Sequence, residues 1–298
     1  MEPRLLLFIA VFWLSTTVHL PGQAAVSVVD DLGRTVALAR PAARIVSLSP
    51  HATELLYAVG SGARLVGVAA YSDFPPEAQR LPQVGDAHAL DLERVLALKP
   101  DLVIAWATGG NRAQVARLEQ AGLTVFYSEP RRAEDVATNL QRLSLLTGAG
   151  PAGEVAAQRF REELAALADA YRDAWPVSLF YEIWHEPLMT LNGQHIVSDL
   201  LGRCGARNVF AGLPTLAPAV SLEAVLAAKP DVIVSSAGEQ ALRDWQRWTD
   251  LPAVRHGNLC LADYARMHRA GPRLVAAARE VCACIDGARR RLKSGERR

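Results

Sequence analysis

Three short segments of the sequence combine aromatic rings with side chains that can hydrogen bond. Tyr71 begins the segment Tyr71–Pro76, Trp106 follows an apolar run, and Trp184 lies in the segment Tyr181–Pro187. Aromatic faces can bury a flat, apolar molecule while nearby polar groups bind its edge. These residue types therefore predict a site that binds a ligand.

Motifs that would carry catalysis are absent from the sequence. It contains no H-E-x-x-H pattern, no Walker sequence and no G-x-S-x-G turn. The seven histidines, which include His88, His185, His195 and His268, leave a zinc or manganese carrier or a metal-dependent hydrolase as the weaker alternative. A lone imidazole needs partners at ligand spacing to hold a metal. We therefore expect no enzymatic activity, no metal site and no cofactor.

One unit of the sequence occurs twice and predicts the elements that position these side chains. Residues 92–104, Leu-Glu-Arg-Val-Leu-Ala-Leu-Lys-Pro-Asp-Leu-Val-Ile, return as 222–234, Leu-Glu-Ala-Val-Leu-Ala-Ala-Lys-Pro-Asp-Val-Ile-Val. In each copy a short helix with apolar periodicity ends at Lys-Pro because proline bars its continuation, and an Asp then opens an apolar run. Each copy predicts a helix, a tight turn and a buried strand.

Strand and helix patterns also alternate elsewhere. Residues 44–48, 65–68 and 124–127 predict strands, and residues 53–59 predict a helix. Alternation of this kind is typical of parallel sheets. Residues 133–174 predict helices alone, the second one long and starting at Ala152. We predict an α/β fold with two lobes, each with a parallel-sheet core, joined by a long rigid helix, with the ligand cleft between the lobes.

The N-terminus has the layout of a secretory signal peptide, with Arg4 before the apolar run Leu5–Leu14 and a short polar stretch ending at Ala24. The run is about half of the ~20 residues that a membrane-spanning helix needs. We expect a soluble periplasmic protein without a lipid anchor, since no cysteine lies near the cleavage site. The predicted segments are a signal peptide (1–24), an N-terminal lobe (25–130), a helical connector (131–175), a C-terminal lobe (176–288) and a solvated basic tail (289–298).

Charge and cysteine content narrow the partners and the compartment. Lys and Arg total 32 against 31 Asp and Glu, so no long-range electric field favours nucleic acid as a partner. We also expect the protein to be a monomer. Four cysteines occur, Cys204, Cys260, Cys282 and Cys284. An oxidising compartment predicts at least one disulfide, and four cysteines allow three full pairings.

Several of these segments resemble a known group of transport proteins. Residues 44–50 with Thr53-Glu54-Leu55, the segment Tyr71–Pro76, and residues 92–106 are similar to the cobalamin-binding periplasmic proteins of ABC importers. These belong to a wider group that binds haem, ferric siderophores and cobalamin. The resemblance covers about residues 42–286. It implies a protein that captures cobalamin or another corrinoid as cargo and delivers it to an ABC importer permease in the inner membrane.

By this resemblance, Tyr71 and Trp106 match aromatic positions that hold the corrin ring. Two further tryptophans of the pattern are replaced here, by Ala87 and Ala217. We hypothesise that Trp184 and His185 compensate for them. The alternative for both matched aromatics is plain packing, which buried Tyr and Trp also serve.

Glu93 and Glu223 occupy the same place in the two repeats and correspond to the paired glutamates that dock this family onto the permease. A local role is the alternative. Each follows a plausible N-cap residue, Asp91 or Ser221, where the helix dipole favours a carboxylate.

The resemblance also implies contacts from the loop before the last helix. Tyr264 and Arg269 are candidate ligand-binding residues there, and Cys204 is expected to pair with Cys282, which leaves Cys260 and Cys284 unassigned. Haem and ferric siderophores are the alternative ligands. A haem carrier needs an axial ligand, for which the candidates are Tyr71, Tyr181 and His185. An anionic siderophore needs an arginine cluster, for which the candidates are Arg266, Arg269 and Arg273.

Overall fold

The computed structural model describes residues 25–295. The predicted signal peptide, residues 1–24, lies outside the described residues. Within the described range, no helix combines the length and apolar character that crossing a membrane requires.

The first half of the chain folds around a parallel sheet that follows a short hairpin. Its elements are the strands β1 Val26–Val29, β2 Thr35–Leu38, β3 Ile45–Ser47, β4 Leu65–Val68, β5 Leu102–Trp106 and β6 Val125–Ser128, and the helices α1 Pro50–Ala58, α2 Leu92–Ala97 and α3 Arg112–Gln120. β1 and β2 pair antiparallel, and the sheet has the order β4-β3-β5-β6. α1 starts earlier than predicted because Pro50 fits a first helical turn after the extended Ser49.

Two helices, α4 Ala133–Thr147 and α5 Ala152–Ala170, connect the halves. They approach closely at Gly153, where a Cβ would overlap the side chain of Ser144. Apolar side chains of both helices share one hydrophobic core with Ile45 of the first sheet and Leu179 of the second half. This shared core makes the connection rigid. α5 ends before the predicted Ala174.

The second half forms another parallel sheet. Its elements are the strands β7 Val177–Glu182, β8 Ala206–Asn208, β9 Val232–Ser235 and β10 Leu259–Leu261, and the helices α6 Ile196–Gly202, α7 Leu222–Ala228, α8 Glu239–Trp245, α9 Pro252–Arg255, α10 Tyr264–Met267 and α11 Leu274–Gly295. The strand order is β10-β9-β7-β8, and all neighbours are parallel. The predicted α/β fold with two parallel-sheet lobes is confirmed.

The two copies of the repeat adopt the same local structure. Asp91 and Ser221 are the N-cap residues of α2 and α7, and the side chain of each accepts a hydrogen bond from a first-turn N–H group. After each helix the chain turns through a lysine in the left-handed region, with φ 47° at Lys99 and 45° at Lys229. The proline that follows prevents the helix from continuing, as the sequence predicts.

The aspartate after each proline fixes the pairing of the strand that it opens. Asp101 accepts hydrogen bonds from the N–H groups of Ala43 and Arg44, just before β3. Asp231 accepts them from the N–H and hydroxyl groups of Ser178 in β7. Each carboxylate therefore joins the start of its own strand to the start of a neighbour, and the sheet edges where the strands finish become aligned.

Two disulfides fix the C-terminal helix. Cys204 is bonded to Cys282, the pairing that the resemblance implies, and Cys260 is bonded to Cys284. Cys282 and Cys284 lie in α11, so the helix is attached to the second lobe at two points.

The structure departs from the predicted solvated basic tail at Arg289, whereas Arg290, Arg291 and Lys293 are exposed. α11 continues to Gly295, and Arg289 is only 3% exposed. Its guanidinium donates to the carbonyl oxygens of Trp175, at 2.8 Å, and of Cys204. This side of α11 packs in the core through the bonded Cys282 and the buried Ile285 and Ala288, and Arg289 there satisfies two backbone acceptors.

Candidate ligand-binding site

Four segments lie at the carboxyl ends of strands in the two lobes, and a hydrogen bond or a shared cavity joins three of them. The segment Tyr71–Pro76 follows β4, Trp106 ends β5, the segment Tyr181–Pro187 spans the end of β7, and residues 262–273 follow β10. A cavity of about 360 Å³ lies in the second lobe. Its lining consists of Ile183, Trp184, His185, Glu186, Ser236, Ala237 and Tyr264. The structure therefore brings two of the predicted aromatics, Trp184 and Tyr264, into one cavity.

Trp184 is held by its own loop and remains open to solvent. Its indole N–H donates to the carbonyl oxygen of Glu186 at 2.8 Å, and its own carbonyl oxygen accepts from the N–H of Met189. The side chain is still 53% exposed. An aromatic ring fixed in position with half of its surface free is suited to contact an apolar ligand.

His185 connects the loop that carries Trp184 to a buried carboxylate of β7 and to α8. Its Nδ1 lies 2.7 Å from Oε1 of Glu182, and its Nε2 lies 3.2 Å from Oδ2 of Asp244 on α8. The Glu182 carboxylate is fully buried and also accepts from the indole N–H of Trp245 at 3.2 Å. The hydrogen bond to Glu182 raises the pKa of His185 above its ordinary value of 6.5, and the charges of Asp244 and Glu186 add to this effect. His185 thus fixes the loop that carries Trp184.

We expect replacement of His185 by glutamine to lower stability most at acidic pH. Because the folded-state pKa is raised, the charged pair stabilises the protein fully below the unfolded-state pKa, and this contribution is lost as the pH rises through the folded-state pKa. Urea unfolding of wild type and His185→Gln between pH 6 and pH 8.5 measures the difference. The gap between the two midpoints should shrink as the pH rises, and a gap that widens would contradict this role.

Tyr264 packs on a buried histidine. Its ring centroid lies 4.8 Å from that of His268, whose Nε2 is 3.2 Å from the hydroxyl of Tyr181 and 2.9 Å from that of Ser236. Burial lowers the pKa of His268 to about 3 and that of His195, which lies beside it, to about 4. Both imidazoles are therefore neutral at physiological pH, and the exposed ring of Tyr264 rests on an uncharged support.

Trp106 is half-buried at the end of β5 and meets the edge of the His51 ring at a centroid distance of 5.6 Å. Nε2 of His51 is 3.0 Å from the hydroxyl of Ser128, which also accepts from the side chain of Asn139 on α4 at 3.2 Å. Burial lowers the pKa of His51 to about 4, so it is neutral. A hydrogen-bonded chain from the connecting helix therefore supports the residue that packs against Trp106.

Tyr71 stands out from the first lobe, with 75% of its side chain exposed. Its backbone is left-handed, with φ 64°, a conformation that a bulky residue adopts only when its surroundings impose it. The next residue, Ser72, is tied to α1 through the hydroxyl of Thr53 at 3.1 Å. The Tyr71 carbonyl oxygen accepts from the guanidinium of Arg269 at 3.0 Å. Contacts from both lobes thus fix the backbone around Tyr71 while its ring remains exposed.

Arg269 does not point freely into the cleft. It pairs with the carboxylates of Asp73 and Glu54 on the first lobe, and its side chain is 14% exposed. Glu54 is buried and also accepts from Nε of Arg273 at 3.0 Å. Two arginines of the second lobe and two carboxylates of the first therefore form one bridge across the cleft. Ligand binding by Arg269 remains a prediction.

Sequence reasoning missed Glu54, Asp73 and Glu182 as residues that organise the site. The position of Glu182 could have indicated its role, since it ends an apolar strand segment. A carboxylate buried in such a segment is stable only when it is paired or hydrogen bonded. Glu54 carried a similar indication within the apolar face of α1. Their partners lie far away along the sequence, which offers no local indication of the pairing. For the metal alternative, the described residues 25–295 contain no group of three or more His, Cys, Asp or Glu residues suited to hold an ion.

Glu93 and Glu223 are exposed in the first turns of α2 and α7, one in each lobe. Its own backbone N–H and the hydroxyl of Ser221 lower the pKa of Glu223, so its carboxylate is charged. Ala87 and Ala217 are exposed in the loops that precede the same two helices. Neither provides an aromatic ring.

Comparisons with known proteins agree with this architecture. Residues 45–264 match the periplasmic binding protein family. The vitamin B12-binding protein of Vibrio parahaemolyticus serotype O3:K6 is 37% identical over 255 residues, which cover 84% of this chain and 92% of that protein. The crystal structure of the periplasmic vitamin B12-binding protein BtuF of Vibrio cholerae superposes with a TM-score of 0.78 at 36% identity, covering 83% of this chain and 98% of that one. The periplasmic heme-binding protein RhuT from Roseiflexus sp. RS-1 superposes with a TM-score of 0.74 at 25% identity, covering 83% and 98%. The family match spans both sheets and the cleft between them, and the chain belongs to the periplasmic binding protein family.

Proposed function

We propose that this chain is exported to the periplasm, captures a corrinoid of the vitamin B12 type and delivers it to an ABC importer. The observation that carries the proposal is a cleft with exposed aromatic rings. The arginines near this cleft are already paired with carboxylates of the protein. The names of the relatives at 36–37% identity support the same ligand.

The aromatic side chains suit a wide, flat, largely apolar macrocycle. Tyr71, Trp184 and Tyr264 expose at least half of their side chains and come from both lobes. Stacking and edge contacts with such rings bury the apolar faces of a ligand, and polar groups beside them bind its amide arms. Trp106, half-buried against His51, is the fourth proposed contact.

The arginines near the cleft argue against an anionic siderophore. Arg266 donates to both carboxylate oxygens of Glu280 at 2.7 Å and pairs with Asp263 at 3.0 Å. Arg269 and Arg273 are held by carboxylates of the first lobe. A siderophore with charged iron-binding groups would have to displace these partners, whereas a ligand with an uncharged rim would not.

Haem is the second candidate, favoured by the exposed phenols of Tyr71 and Tyr264, which could ligate iron. The other candidate axial ligands are less available. Burial raises the pKa of Tyr181, which disfavours its phenolate, and both ring nitrogens of His185 contact carboxylates.

Delivery requires recognition by a membrane partner, and we infer that Glu93 and Glu223 provide it. The repeat places one exposed carboxylate at equivalent points of the two lobes. Two such points can contact a pseudo-symmetric permease that presents basic residues, with a fixed orientation.

A competition experiment tests the ligand class. The chain beginning at Val26 is mixed with equimolar cyanocobalamin and haemin, passed through a desalting column and examined by absorbance spectroscopy. The proposal predicts that the corrinoid spectrum is retained with the protein. Retention of haemin in its place would leave the family assignment intact and overturn the corrinoid proposal.

We expect Trp184→Ala to weaken corrinoid binding by at least about tenfold, since a large ring loses its contact with the ligand and each ~1.4 kcal/mol is a factor of ten. Titration followed by corrinoid absorbance measures the change. Trp175→Ala is the matched control, because Trp175 precedes the amino end of β7 while Trp184 follows its carboxyl end. Equal effects of the two variants would remove Trp184 from the site.

A further inference from the structure

The bridge across the cleft joins residues from distant parts of the chain. Asp73 belongs to the exposed loop after β4, Glu54 to α1, and Arg269 and Arg273 to the segment between α10 and α11. Arg269 contacts both Asp73, at 3.3 Å between Nη2 and Oδ2, and Glu54, at 3.4 Å. Arg273 contacts Glu54 at 3.0 Å and lies over the ring of Phe74, 3.9 Å from its centroid.

The charges of this bridge cancel, because two guanidinium groups face two carboxylates. The donors of Arg269 are directed at Glu54, Asp73 and the carbonyl oxygen of Tyr71. A guanidinium whose N–H groups are already bonded has little capacity left for a carboxylate or phosphate of a ligand. The bridge therefore presents no free cation beside Tyr71.

The two carboxylates differ in exposure. The Glu54 side chain is 3% exposed, whereas that of Asp73 is 53% exposed. A ligand that contacts Tyr71 therefore meets Asp73 before Glu54, and Glu186 is a further acidic residue in the lining of the second-lobe cavity. Amide arms can donate hydrogen bonds to carboxylates, while carboxylate arms can only be repelled by them.

We propose that Asp73 determines specificity by neutralising Arg269, so that the cleft selects a macrocycle with an amide rim over one with a carboxylate rim. This inference rests on the proposed function, because it concerns the same cleft and the same class of ligand. Glu54 has the supporting role of holding both arginines in place from within the first lobe.

The test compares Asp73→Asn with wild type, using three probes. They are cyanocobalamin, a corrinoid whose amide arms have been hydrolysed to carboxylates, and haemin. Asparagine keeps the size of the side chain and an acceptor for Arg269 while removing the charge. We expect the ratio of affinities to shift towards both carboxylate-bearing probes by at least about tenfold, the usual effect of one additional hydrogen bond between charged groups.

Asp169→Asn is the matched control, because it removes the same charge from an exposed pair with Arg172 at the end of α5. Its affinity ratios should equal those of wild type. An unchanged ratio in Asp73→Asn, with corrinoid binding by wild type intact, would overturn the role of Asp73 alone. Failure of wild type to bind any corrinoid would overturn the proposed function instead, and the haemin affinities of the two variants would still report on the charge of the bridge.

Discussion

A variant in which Glu93 and Glu223 are both replaced by arginine is expected to bind its ligand normally and to support no uptake. Both carboxylates are exposed on the first turns of α2 and α7. Under the proposed docking role, charge reversal would place like charges opposite a basic permease surface, at a cost of several kcal/mol of recognition. Growth on a limiting corrinoid, or uptake of labelled corrinoid by cells that lack their own binding protein, measures the effect.

The control for this experiment is the double variant Glu77→Arg with Glu239→Arg. Both residues are acidic and exposed, Glu77 in the short 3-10 helix Pro76–Arg80 of the first lobe and Glu239 in the first turn of α8 in the second lobe. It changes the net charge by the same amount, so any general electrostatic effect appears in both variants. Loss of uptake in the control as well, or normal uptake in the Glu93 and Glu223 variant, would refute the docking role.

Loss of the disulfide between Cys204 and Cys282 is expected to lower the free energy of unfolding by about 4 kcal/mol. The bond links residues separated by 78 positions, so its removal frees a long loop in the unfolded chain. The double variant Cys204→Ala with Cys282→Ala, compared with wild type by urea unfolding under oxidising conditions, provides the measurement.

The second disulfide is an internal comparison for this effect. Cys260 and Cys284 are separated by 24 positions, which predicts a smaller loss of about 3 kcal/mol. All four cysteines contact the same core, so the packing change is similar in the two variants. A larger loss from the Cys260 and Cys284 variant would contradict an explanation based on loop length.

The repeat made much of the fold predictable from the sequence. Lys-Pro-Asp ends a helix and turns the chain for a local reason, since proline excludes helix. The aspartate acts over a longer range, because its carboxylate accepts from residues at the start of a neighbouring strand. The left-handed backbone of Lys99 and Lys229 follows from the same tight turn. Strong local signals of this kind survive folding because the tertiary structure reinforces them.

The charged organisation of the cleft was beyond such local reasoning. The side-chain type of Arg269 suggested a ligand-binding residue. Its sequence neighbours do not indicate that it pairs with Glu54 and Asp73. The pairing depends on how the two lobes face each other, which the shared core around α4 and α5 determines. Arg289 illustrates the same limit, because the tertiary packing of α11 brings it onto the carbonyl oxygens of Trp175 and Cys204.

Calorimetric titration of the chain beginning at Val26 with cyanocobalamin, cobinamide and haemin tests the central claim most directly. The proposed function predicts one-to-one binding of both corrinoids with a Kd below about 1 μM, more than ~8 kcal/mol, and weaker binding of haemin. Cobinamide shares the macrocycle and its amide arms, so it should bind if aromatic contacts and an uncharged rim determine recognition. No measurable corrinoid binding together with tight one-to-one binding of haemin would contradict the account.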